Sequence, residues 1–274
     1  PIYQISAVSA FAAPFIGSLL YTAFGLKPVM YAGVICFFIT AVFECFIKLD
    51  YHPERTTENV LEIVKKDLKD STKFICKEKT AILKILLLVA VIGFFIQGIA
   101  LVGLPYMVRT ILGLNAKFYG ATESMLGLTV ILGSVISGLI VSKFKIRKLY
   151  LTLFSVGICL LPVGAIFIIS TGVYMKYTVL MLSFAIIQIV ACVFSIFALS
   201  IIQQLTPNNM IGKVMAYTAT FSLCAQPLGQ IIYGLLFDTF TNMVYVILIP
   251  TGIILCMIGF KTKDFFAKVE KQLE

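Results

Sequence analysis

Thr218, Ser222, Gln226 and Gln230 recur every four residues inside an apolar run. On a helix this spacing gathers them into one slowly drifting stripe. Their hydroxyls and amides suit recognition by hydrogen bonding, since neither group exchanges a proton readily near neutral pH. Gln97 and Gln188 are the other amides set in the middle of apolar runs. Facing hydrocarbon, all of these groups would lose their hydrogen bonds at a cost of several kcal/mol each. They must therefore face neighbouring helices or a wet cavity. Interhelical bonding and cavity lining both fit the stripe, and Gln97, Gln188, Thr218, Ser222, Gln226 and Gln230 are the candidate cavity residues. Acids are sparse. Glu44, Glu123 and Asp238 lie towards the ends of their runs. Glu123 and Lys213 are the charged candidates for coupling or gating. Catalytic and metal chemistry lack their residues: the one histidine, His52, sits in a charged loop, and none of the seven cysteines forms a CxxC pair. Neither an enzyme nor a cofactor is expected.

The elements that carry these side chains are set by composition. The 274 residues are 60% hydrophobic and 13% charged, with a mean hydropathy of +1.02. Soluble domains carry about 25% charged residues, so the solvent for most of this chain is lipid. Crossing a bilayer takes about 20 apolar residues in a helix. Eight runs qualify, at roughly 5–24, 29–47, 82–104, 118–141, 149–169, 178–202, 214–237 and 243–260. Strands of a membrane barrel are about half this length and alternate in polarity. These runs do neither, so the fold class is an all-α integral membrane protein, a polytopic bundle of about eight helices. The net charge of +9 lies between the runs, and the phenylalanines lie within them, a pattern that argues against nucleic acid as a partner.

Lys and Arg orient the spans. With the N-terminal end cytoplasmic, eighteen of the 22 basic residues fall on the inner side; Lys27, Arg109, Lys117 and Lys176 fall outside. Both ends of the chain are then cytoplasmic. The long loop at 48–81 reads as an amphipathic linker helix. Thr56 or Thr57 can cap it, and Leu61, Val64, Leu68 and Ile75 lie opposite Lys65, Lys66, Lys69 and Lys73.

IGSLLY at 16–21 and LGQIIY at 228–233 share a glycine and a tyrosine at the same places, 212 residues apart. KPVMY at 27–31 and TNMVY at 241–245 open the spans that follow. The offset corresponds to six helices in the same orientation, and a six-helix unit repeated in parallel is one architecture of secondary transporters. At this point the chain resembles the major facilitator superfamily over essentially its whole length. The resemblance lies in LTPNNMIGKVMAY at 205–217 with QPLGQIIYG at 226–234, and in LPYMVRTILGLNAKFYGATESMLGLTVILGSVISG at 104–138. Within the superfamily it is most similar to bacterial exporters of the macrolide-efflux type.

The resemblance implies a truncated twelve-helix fold built of two six-helix pseudo-repeats. Residues 1–47 would be the last two helices of the first half, 48–81 the cytoplasmic linker, 82–260 the second half and 261–274 a cytoplasmic tail. The four N-terminal helices would be absent, and the chain alone is not expected to transport. Gln97 and Gln188 fall on helices that line the family's central cavity. One departure is Ser142 in GLIVSKFKIRK at 138–148, where the family often has an acid. The implied activity is secondary transport by alternating access, with amphipathic small molecules exported through a cell membrane and protons as the candidate coupling ion. A transporter of lipids or lysophospholipids is the nearest alternative, and a scaffold or receptor that does not transport is a further one. The expected partners are the lipid bilayer, a small-molecule substrate and the missing helices.

Packing devices complete the reading. Gly133, Ser134, Ser137 and Gly138 form two overlapping small-xxx-small pairs for close helix approach. Pro14, Pro162, Pro227 and Pro250 are expected to kink their spans. Tyr21 and Tyr233 are expected to anchor at the membrane interface.

Overall fold

The computed structural model describes residues 20, 24–46, 80–140, 144–208, 210–241 and 243–273. Of the first expected span and its IGSLLY segment only Leu20 and Phe24 are described, and residues 48–79 of the linker, Pro14, Tyr21 and Ser142 lie outside the described residues. Seven described helices are long and apolar enough to cross a membrane. They are α1 (Leu26–Cys45), α2 (Thr80–Ile111), α3 (Ala116–Ile140), α4 (Tyr150–Ile168), α5 (Val173–Leu205), α6 (Ile211–Thr239) and α7 (Val244–Lys261). A short helix, α8 (Lys263–Leu273), follows. Among the described residues there is no strand. The spans are predominantly apolar, as helices bathed in lipid must be.

Local chemistry marks the ends. Gly113 adopts φ 63° and breaks the chain out of α2, a backbone conformation that glycine takes without a Cβ penalty. Two residues later the Asn115 side chain accepts hydrogen bonds from the Lys117 and Phe118 amides at 3.1 and 3.4 Å. It thereby caps the first turn of α3.

Glycine sets the helix contacts. α4 lies along α7 on a seam of Gly157, Gly164, Gly252 and Gly259. A Cβ at Gly157 would stand 2.6 Å from the Gly252 carbonyl oxygen, and one at Gly259 would stand 2.7 Å from the Phe154 nitrogen. On the other side of the unit, Gly133 brings α3 against Cys192 of α5. α2 meets α6 where Gly98 opposes Gly229. α5 is central, touching α2, α3 and α4, with Phe184, Phe194 and Ile202 fully enclosed. α1 stands apart in burial: none of the residues in its most apolar stretch is buried.

Two features differ from the expectations. The third expected span ended at Leu104, yet helical backbone continues through Pro105 to Ile111. It does so through π-helical stretches at Gly93–Gln97, Ile99–Gly103 and Tyr106–Ile111. Pro105 has no amide hydrogen to donate in either helix type, and the π-helical stretches flank it on both sides. The prolines expected to kink their spans, Pro162, Pro227 and Pro250, do sit inside helices, in α4, α6 and α7. The expected tail folds as α8, with Phe266 and Val269 buried against the bundle.

Candidate substrate cavity

The stripe on α6 and the mid-span amides of α2 and α5 meet around one cavity of about 460 Å³. α2 contributes Ile92, Gly93, Ile96 and Gln97, α3 contributes Val130, and α5 contributes Gln188, Cys192, Ser195 and Leu199. From α6 come Met215, Thr218, Ser222 and Gln226. Four positions at helical spacing on α6, 215, 218, 222 and 226, thus turn to one side. On α5 the same is true of 188, 192, 195 and 199.

Gln97, Gln188, Ser222 and Gln226 are each half-buried or exposed to the cavity space, and their side chains make no hydrogen bond with another described residue. Their donors and acceptors are turned to the cavity rather than used between helices. Thr218 differs: its hydroxyl donates to the Val214 carbonyl at 2.9 Å, so its proton is already engaged. Gly93 lies beside the Gln226 side chain, whose Cγ would be in ordinary contact, 3.6 Å, with a Cβ there. The Gly93–Gln97 wall is also one of the π-helical stretches, and such stretches recur at functional sites. Among the described residues lining the cavity there is no Asp, Glu, Lys, Arg or His.

The remaining sequence candidates lie elsewhere. Gln230, one turn beyond Gln226, is half-buried and outside the lining. Glu123 is half-buried near the start of α3 and interacts with the Tyr119 hydroxyl, on which Arg109 at the end of α2 also acts. Lys213 sits on the first turn of α6, also outside the lining. Of the small residues on α3, Gly133 and Ser137 are buried, with the Ser137 hydroxyl donating to the Gly133 carbonyl at 2.7 Å. Ser134 bonds back to Ile131 at 2.8 Å, and a Cβ at Gly138 would meet no described atom within 4 Å.

Tyr233 is a correction. It is 2% exposed, stacked among Phe94, Phe95 and Phe237, with its hydroxyl 2.9 Å from Thr251 Oγ1 of α7. An interfacial anchor needs a wet end. Here Thr251 takes that role inside the bundle. Cys192, Ser195 and Met215 were not singled out from the sequence. Their spacing from Gln188 and from Thr218 carried the signal.

Seven long apolar helices, four of which line an uncharged, amide-bearing cavity, define a polytopic membrane protein. The chain matches the Major Facilitator Superfamily over residues 4–230 and belongs to that family of membrane transporters. Among proteins of curated function, none matches it.

Proposed function

We propose that the protein exports uncharged, amphipathic small molecules by alternating access, and that the cavity between α2, α5 and α6 is its contribution to the substrate site. The observation that carries this reading is the lining itself. Gln97, Gln188, Ser222 and Gln226 offer hydrogen bonds, while Ile92, Ile96, Val130, Leu199 and Met215 offer apolar surface. A charged solute would meet no described counter-charge there, and a desolvated charge without a partner is costly. Solutes with apolar bodies and a few hydroxyl or amide groups match the wall. The drug-exporter resemblance of the sequence points the same way.

Energy would come from protons. Glu123 is the acid put forward as the coupling group, since a carboxyl within a span is costly to keep without a role. It lies within a span, half-buried and in contact with Tyr119. The membrane is the cell membrane, with the Lys- and Arg-rich ends inward.

Inside-out vesicles carrying the complete gene product test this. A neutral macrolide-type solute is expected to accumulate without ATP when a proton gradient is imposed, and to leak out when an uncoupler is added. Glu123→Gln is expected to abolish the response to the gradient. Accumulation of a lipid analogue but not of soluble amphipathic solutes would replace the drug-export reading with a lipid-transport one.

A further inference from the structure

The pole of the bundle where α7 ends is a surface of cations. Lys145, Arg147 and Lys148 stand on the turn between α3 and α4; Lys261, Lys263, Lys268 and Lys271 stand on the end of α7 and on α8. Every one of them is exposed. Since α8 packs on the Ile146–Lys148 turn, the two sets form one face.

The acids of these segments are arranged to leave that face positive. Glu270 is half-buried, and its Oε2 accepts the Arg147 backbone N–H at 3.1 Å. Asp264 is the one exposed acid among the described residues of 144–148 and 261–273. The apolar side of α8 is already used. Phe266 is fully buried and packs edge-on to Phe194, with ring centroids 6.4 Å apart. Val269 is 1% exposed, and Lys84 Nζ lies 5.5 Å from the Phe265 ring centroid. A helix that inserts into a leaflet keeps its apolar side for lipid. α8 gives that side to the bundle and turns its lysines outward.

We propose that this face is a docking surface for the headgroups of anionic phospholipids. Lys268 and Lys271 border a shallow concavity of about 280 Å³ with Asp264 and Ala267, open to a headgroup from the side. Charge complementarity selects the occupant: the cytoplasmic leaflet is the anionic one, and juxtamembrane cations are drawn to it. The contact is electrostatic and headgroup-directed, without hydrocarbon insertion. That this pole is cytoplasmic rests on the orientation proposed above. A lipid-binding measurement in detergent does not depend on orientation, so either statement can fail without the other.

The test uses the full chain purified in detergent and titrated with phosphatidylglycerol or phosphatidylcholine of the same acyl chains. Retained lipid is counted by native mass spectrometry, and thermal stability is read in parallel. Phosphatidylglycerol is expected to be retained in preference and to raise the melting temperature. Lys263→Gln/Lys268→Gln/Lys271→Gln is expected to weaken that retention by about fivefold per charge removed, leaving phosphatidylcholine binding and the lipid-free melting temperature unchanged. Salt near 0.5 M, which shortens the screening length to roughly 4 Å, is expected to erase the preference. Asp264→Asn removes the exposed acid and is expected to strengthen it, which keeps the test decisive if the triple variant does not fold. Equal retention of the two lipids by the unmodified chain would overturn the proposal. So would an undiminished preference in the folded triple variant, or an equal rise in melting temperature with inorganic phosphate.

Discussion

Gln226 and Gln230 are chemically identical, one turn apart on α6, and the cavity separates them. Gln226 lines it and Gln230 does not. Gln226→Leu is expected to raise the KM for a hydrogen-bonding substrate about fivefold, the worth of one neutral hydrogen bond of about 1 kcal/mol. Gln230→Leu is expected to leave KM unchanged in the same vesicle assay. The four-residue stripe was legible as polar groups on one helix side, because a 3.6-residue period forces it. Where the stripe leaves the cavity was not legible, since drift places 226 and 230 against different neighbours. Tyr233 shows the same limit. Its place near the end of an apolar run suggested a wet hydroxyl, but its partner Thr251 is 18 residues away on another helix. Tyr233→Phe is expected to cost about 0.6 kcal/mol, typical of a hydrogen bond between helices in a membrane. Unfolding of the purified variant in mixed detergent measures it.

At the scale of elements, the most extensive contact of two helices is the glycine seam of α4 and α7. Gly157 and Gly164 are seven residues apart, as are Gly252 and Gly259, so two turns bring each pair back to the same side. That spacing was available in the sequence, beside the denser Gly133–Gly138 cluster on α3. There Gly133 meets Cys192, whereas Gly138 faces no described neighbour. Gly157→Leu is expected to destabilise the chain by about 2–3 kcal/mol, because the neighbouring atoms are backbone and cannot yield. Gly138→Ala is expected to fall within about 0.5 kcal/mol of the unmodified chain. Similar changes in both variants, measured by the same unfolding assay, would contradict the seam. The resemblance implied a cytoplasmic tail over 261–274, and eleven of those residues fold as α8. Its folding depends on Phe266 reaching Phe194 on α5, a contact that no local pattern announces. Phe266→Ala, which removes a fully buried ring, is expected to release α8 to protease while the spans stay protected. The loss is about 3 kcal/mol.

Span number, length and helical character follow from hydropathy, so the architecture of the molecule was open to reading from composition and the length of the apolar runs. Span ends were set by neighbours: α5 runs from Val173 to Leu205, and α2 passes Pro105 to reach Ile111. The convergence of α2, α5 and α6 on one cavity is a tertiary fact, and the family match places it within a transporter. The central claim is that this cavity admits water and binds the exported solute. The most direct measurement replaces the seven native cysteines with serine and introduces Ser222→Cys or Gln230→Cys. Labelling by a water-soluble maleimide is then followed in membrane vesicles, with and without a transported solute. The Ser222→Cys variant is expected to label, and solute is expected to slow the reaction several-fold. Labelling of the Gln230→Cys variant is expected to be indifferent to solute. A Ser222→Cys variant that does not label, or labels at the same rate with a transported solute present, would contradict the account.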